Sequence, residues 1–413
     1  MNILYISHIS CLRVENDIPM FEAAGHKVIL LNNHKTHLKK YLPSYPQFRD
    51  IINLYESNST LVIKVKNKLG EIIKKICTYF KLDKLTFINY LREKWDVYKI
   101  NHVSQKTKEK IVGIISERNI DLVYAAWGTT VFQEINVIKQ SNVSVPIVWS
   151  IQSYPVREYR LSDRNDNIPE KEKEIIENIE GRIHCSREMY DYFSKHFKIK
   201  DYGDDIIYPG YWKSTYFYRR QLPKLSNVDK EPHVVFIGDT KFSQRTFNDI
   251  RSQIKEILNN DIHIHFAKTK DRLAGNKAYI HMFEKKDVTN GELATFMTQF
   301  DACVMMYNLD KKYLRYKISL PERFLFALNA GIPVICPKDY YQVCADVIEK
   351  YRIGFVYKDS SQLKVNLQDK MLIESCSANA RKLKERLTFE DNYENLEEFL
   401  QKIIKNKKVV SYG

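Results

Sequence analysis

An α/β protein of two domains is what this chain predicts, on three observations. Its 413 residues exceed what one compact core holds and suit two domains of about 150–200 residues each. Short apolar runs that close on turn residues alternate with helical patterns in each half, the order that builds parallel sheets covered by helices. The third is the stretch SLPERFLFALNAGIPVI at residues 319–335, a helix, a turn and a strand in one unit.

In that unit Ser319 is placed to cap a helix and Pro321 to stand in its first turn. Residues 323–330 are mostly good helix formers, Gly331 supplies a left-handed C-terminal position, and Pro333 forbids continuation. The following IPVIC reads as a buried parallel strand. A helix N-terminus rich in free amides is an anion seat, and Arg323 adds a fixed positive charge to it.

Composition narrows the function classes. A net charge of +14 asks for an anionic partner such as nucleotide phosphates, an anionic membrane surface or nucleic acid. No zinc-finger spacing, aromatic RNA-binding motif or 20–50-residue repeat is present, so nucleic acid is not expected. The 7 Cys are scattered with no C-x-x-C, which reads as free thiols in a reducing cytoplasm. No apolar run approaches the ~18 residues of a membrane span, and MNILYISHIS reads as a first strand rather than a signal peptide.

In chain order, residues 2–7 form a strand, a loop at 8–17 leads into a helix ending at Gly25, and KVILLNN is a second strand. Residues 61–110 carry 12 Lys and one Arg against three Glu and two Asp, with Ile, Leu, Phe and Tyr at near-helical spacing. Two readings stay open for this basic insertion: a face lying on an anionic bilayer, or a helix packed on its own domain with solvated lysines. LVYAAWG and VPIVWSI are further strands, and ligands of open α/β sheets sit beyond such C-terminal ends. Trp127, Gly128, Gln152 and Ser153 are therefore the candidate acceptor-side residues. After a polar stretch at 219–231, suited to a linker, HVVFIGDT ends a strand at Gly238, a helix follows over 246–258, and IHIHFA is the next strand.

These residues resemble the GT-B glycosyltransferases, whose C-terminal domains carry P-x-[KR]-x-x-E-x-x-A-x-G-x-P-V. Pro321, Arg323, Gly331, Pro333 and Val334 match at the right spacing, and the order of elements follows the family over about nine-tenths of the chain, the basic insertion excepted. The resemblance implies an α/β GT-B fold: two Rossmann-like domains with a cleft between them and a C-terminal helix crossing back. The domains fall at 1–215, with the basic helical insertion at about 61–110, and at 232–388, followed by a helix and tail at 389–413.

It also implies roles. Ser319, Leu320, Pro321 and Arg323, with Gly238, Lys241 and Arg245, face the diphosphate of a nucleotide-sugar donor. His281, Met282 and Phe283 read its base. His8, Glu15 and Asp17 in the first loop face the acceptor as catalytic candidates, each with a capping or solvated role as the alternative. Glu158 joins them because Gln152 stands where many members carry a His. Phe326 replaces the Glu that holds the ribose. The implied activity is metal-independent sugar transfer to a cell-envelope, glycan or lipid-linked acceptor, with no cofactor besides the donor. The chain lacks the D-x-D carboxylate pair of the other glycosyltransferase fold. The implied location is cytoplasmic, with peripheral docking on the inner membrane face if the insertion is lipid-binding. A nucleotide-sugar epimerase and a non-catalytic scaffold binding an anionic partner are the rival functions.

Overall fold

The computed structural model describes residues 1–7, 12–33, 50–54, 98, 100, 103–126, 131–154, 168, 170–199, 204–207, 213–238, 250–269, 275–307, 314–338 and 341–412. These form two compact units. The first comprises Met1–His184, Tyr190–Ile207 and Asn395–Gly413, and the second Cys185–Met189 and Tyr208–Glu394. Most of the basic insertion lies outside the described residues. Among those described, no helix is long and apolar enough to cross a membrane.

Among its described residues the first unit holds seven strands: β1 (Asn2–Ser7), β2 (Lys27–Asn32), β3 (Ile51–Asn53), β4 (Leu122–Ala126), β5 (Ile147–Ile151), β6 (Gly181–His184) and β7 (Asp204–Ile207). They pair in parallel in the order β3-β2-β1-β4-β5-β6-β7. Parallel strands are covered on both faces, which is why their sequences are apolar runs without alternation. Trp149, Tyr5 and Tyr124 fill the core beside helices α1 (Leu12–Ala23) and α3 (Phe132–Gln140), α2 being Gln105–Glu117. Asn119, at φ 47°, makes the left-handed turn that an Asn tolerates, and Asp121 then donates to and accepts from Asn2 to set the β1/β4 register. Helices α4 (Glu170–Asn178) and α5 (Arg187–His196) complete the described part before β7.

The second unit holds β8 (His233–Phe236), β9 (His263–Ala267), β10 (Ile280–Phe283), β11 (Ala302–Val304), β12 (Val334–Pro337) and β13 (Gly354–Tyr357). All are parallel, in the order β10-β9-β8-β11-β12-β13. Relabelled from its first strand, this is 3-2-1-4-5-6, the doubly wound nucleotide-binding order whose ligand crevice opens where the order reverses, between β8 and β11.

The expected linker at 219–231 is instead laced to the second unit. Leu225 N–H donates to Gln299 O, Arg219 N–H to Thr295 Oγ1, Leu222 N–H to Thr298 Oγ1 and Lys224 Nζ to Phe300 O. A short helix, α6 (Ser226–Asp229), lies within it. Helices α7 (Arg251–Asn259), α8 (Glu292–Met297), α9 (Leu314–Ile318), α10 (Glu322–Ala330), α11 (Gln342–Tyr351), α12 (Ser361–Gln368) and α13 (Lys370–Arg386) follow. The last helix, α14 (Phe389–Tyr412), starts in the second unit and belongs to the first from Asn395 on. There Leu396, Phe399, Leu400 and Ile403 are buried at helical spacing, and Glu397 meets His26 at 2.6 Å.

Candidate functional site

Helix α10 and strand β12 realise the 319–335 unit with one change. The N-cap is Pro321, which offers no side-chain acceptor, while Ser319 is buried two residues earlier. The first amides of α10 are therefore not taken up by the cap residue. At the other end Gly331 sits at φ 64°, the left-handed conformation it was expected to supply, and closes the helix onto β12.

Arg323, in the first turn of α10, is buried, and its side chain reaches the fork between β8 and β11. The guanidinium lies 4.5 Å from the ring of Phe236, the last residue of β8, and 4.1 Å from the ring of Tyr307 just beyond β11. Nη1 donates to Met306 O at 2.7 Å. Two aromatic faces and a carbonyl hold the planar group in one orientation, and a guanidinium has five N–H donors of which Met306 takes one. Gly238 is brought to the same place: a Cβ there would stand 2.7 Å from Arg323 Nη2 and 2.9 Å from Phe236 Cζ, so a side chain would push the guanidinium away. Tyr341 backs this cluster, its ring 5.6 Å from Tyr307 and 5.5 Å from Tyr316. Its buried hydroxyl has no hydrogen-bond partner among the described residues, and burial with the neighbouring phenols pushes its pKa well up.

Of the other donor-side expectations, Lys241 and Arg245 lie outside the described residues. Leu320 and Pro321 are half-buried beside Ser319. His281, Met282 and Phe283 form the edge strand β10. Met282 is exposed, Phe283 packs on Phe296 at 4.8 Å, and His281 turns toward other histidines. Sequence reading missed Phe236, Met306, Tyr307 and Tyr341. The rule that ligands gather beyond strand ends pointed to the first three, since they bound β8 and β11.

In the first unit Asp17 is fully buried. Arg13 Nη2 sits 3.1 Å from its Oδ1, and Tyr5 Oη donates to its Oδ2 at 2.8 Å. A carboxylate committed to a buried ion pair and a phenol braces α1 against β1. Glu15, half-buried, stands between them in sequence. Gln152 follows β5 with a buried Oε1 that has no partner among the described residues, and Ser153 is buried beside it. His8, Trp127, Gly128 and Glu158 lie outside the described residues.

No family model matches the chain, and no curated protein matches it by sequence. Among solved structures it resembles TarM, with a TM-score of 0.63, 12% identity and 97% and 98% of the two chains covered. It also resembles sucrose-phosphate synthase from Thermosynechococcus elongatus, at 0.60, 14% identity and 98% and 100% coverage. A third is HepE of Anabaena in complex with UDP, at 0.60, 12% identity and 97% and 100% coverage. The chain has the GT-B glycosyltransferase fold, as its two doubly wound sheets and the 319–335 unit imply.

Proposed function

We propose that the chain is a metal-independent glycosyltransferase moving a sugar from a nucleoside-diphosphate sugar to a hydroxyl acceptor. The observation that carries the reading is Arg323, held at the β8/β11 switch point by Phe236, Tyr307 and Met306 O beside Gly238. In such a transfer the bond between the anomeric carbon and the diphosphate oxygen breaks, the acceptor oxygen bonds to that carbon, and the nucleoside diphosphate leaves with added negative charge. A fixed guanidinium and the N-terminus of α10 stabilise that charge without reorganising, so they favour the transition state over the bound donor. HepE, a structural neighbour, has been solved with UDP and with UDP-glucose, which supports this donor class. Among the proton acceptors of the first unit, Asp17 is occupied by Arg13 and Tyr5, so the base falls to His8, Glu15 or Glu158. The test is a thermal-shift panel of nucleotides and nucleotide sugars. A transferase is stabilised by its own nucleoside diphosphate through mass action, whereas indifference to every nucleotide would favour the scaffold that Phe326 also suits.

A lipid-linked envelope acceptor fits the lysine-rich 61–110 segment. A lysine near an anionic leaflet contributes about 1 kcal/mol, screened within about 8–10 Å. The protein is expected to sediment with anionic vesicles, not zwitterionic ones, and to be released by high salt. Equal binding to both, or to neither, would favour a soluble acceptor.

A further inference from the structure

The opposite ends of the same strands gather a second constellation that sugar transfer does not use. His233 opens β8 and His263 opens β9, and the parallel register sets them side by side. Their rings stack 4.2 Å apart at an interplanar angle of 3°. Both Nε2 atoms converge on one carboxylate oxygen, Asp229 Oδ2 of α6, at 2.9 Å from His233 and 3.5 Å from His263. The three ligand atoms lie within 4.8 Å of one another. Behind each ring stands another imidazole: His233 Nδ1 meets His265 Nε2 at 2.9 Å, and His263 Nδ1 meets His281 Nε2 at 2.8 Å.

We infer that Asp229, His233 and His263 form a binding site for a divalent transition metal of the zinc class. Two imidazole nitrogens and a carboxylate oxygen are borderline donors suited to zinc, and a water completes a tetrahedron. The hydrogen-bond chain is complementary to this use. With a metal bound, each Nε2 is a bare donor to the ion, so each Nδ1–H donates outward to His265 or His281, the arrangement that fixes tautomer and ring orientation in metal-ligating histidines. Without metal the same chain runs in reverse, each Nε2–H donating to Asp229. Binding then flips four tautomers and changes no net protonation of the rings.

The site is not the donor site. His233 is the first residue of β8 and Phe236, under Arg323, its last, about 10 Å away at the usual rise per residue. Its effect is to clip α6 onto two strand starts. Among the described residues other histidine–carboxylate contacts exist, such as His26 with Glu397, but they offer two ligands, not three.

The experiment uses full-length protein stripped by a chelator and titrated with zinc chloride, and with cobalt chloride as a coloured probe. The expected result is one equivalent bound, the intense visible absorption of tetrahedral cobalt, a raised melting temperature, and Nδ1–H tautomers for His233 and His263 in nitrogen NMR. Asp229→Asn and His263→Gln each weaken zinc by at least about tenfold, measured on variants that circular dichroism shows to be folded without metal. His281→Gln, which only orients His263, weakens it by about 10–100-fold. Absence of stoichiometric binding overturns the assignment, and so does undiminished binding in both ligand variants.

Discussion

Arg323 shows how much one side chain depends on its neighbours. Phe236 and Tyr307 hold its guanidinium by stacking, while Gly238 leaves it room by having no Cβ. Gly238→Ala is therefore expected to weaken nucleotide binding by displacing Arg323, and to cost some stability as well, because the methyl also meets the buried ring of Phe236 at 2.9 Å. Calorimetric titration checks this, and an unchanged affinity would show that the guanidinium adapts without loss. The turn at Gly331 was legible in sequence, since it rests on a local constraint of φ, and so was the strand that ends beside Gly238. The pairing of Asp17 with Arg13 and Tyr5 was not. The i,i+4 spacing of Arg13 and Asp17 is visible, but only the packing of α1 on β1 and β4 buries them together.

At the scale of elements, the strands were read well because a parallel sheet imposes runs of apolar residues, and β1, β4 and β5 are such runs. Capping was read less well. A Ser before a Pro suggests a cap, yet Pro321 takes the N-cap position and displaces Ser319 inward. The linker at 219–231 looked free because its residues are polar, while its backbone is consumed by Thr295, Thr298 and Gln299 on a distant segment. The histidine cluster was likewise hidden, for His233 and His263 become neighbours only through strand register. Helix α14 carries a further expectation. Leu400 is fully buried on its apolar face, so Leu400→Ala should cost about 2–5 kcal/mol as lost transfer energy plus a cavity. Denaturant unfolding measures it, and a cost under about 1 kcal/mol would mean that α14 is only loosely docked on the first unit.

The whole molecule should respond to alkali in a definite direction. Burial pushes the thiols of Cys185, Cys303, Cys336, Cys344 and Cys376 up, Cys185 to about 11 and Cys303 to about 12. It pulls the buried amines of Lys224 and Lys384 down to about 8. A thiol raised above its unfolded value stabilises the fold below about pH 9, and that contribution is lost as pH rises toward the folded value. The two lysines act oppositely, since between about pH 8 and 10 the unfolded chain holds protons that the folded chain has released. Five raised thiols outweigh two lowered lysines, so the fold is expected to lose stability as pH rises from 9 to 10. Unfolding free energies at pH 8, 9 and 10 under reducing conditions check the sign, and a rise over that range would show the lysines dominant. A diphosphate seat at the β8/β11 fork is checked by titrating nucleoside diphosphates into the parent protein, Arg323→Lys and Arg323→Ala. Saturable binding by the parent is expected, with a loss of roughly 1.5–3 kcal/mol in Arg323→Ala, about 10–150-fold. Arg323→Lys should recover only part of it, because an ammonium keeps the charge but not the fork or the stack. Equal affinity in all three proteins, or no nucleotide binding in the parent, would contradict it.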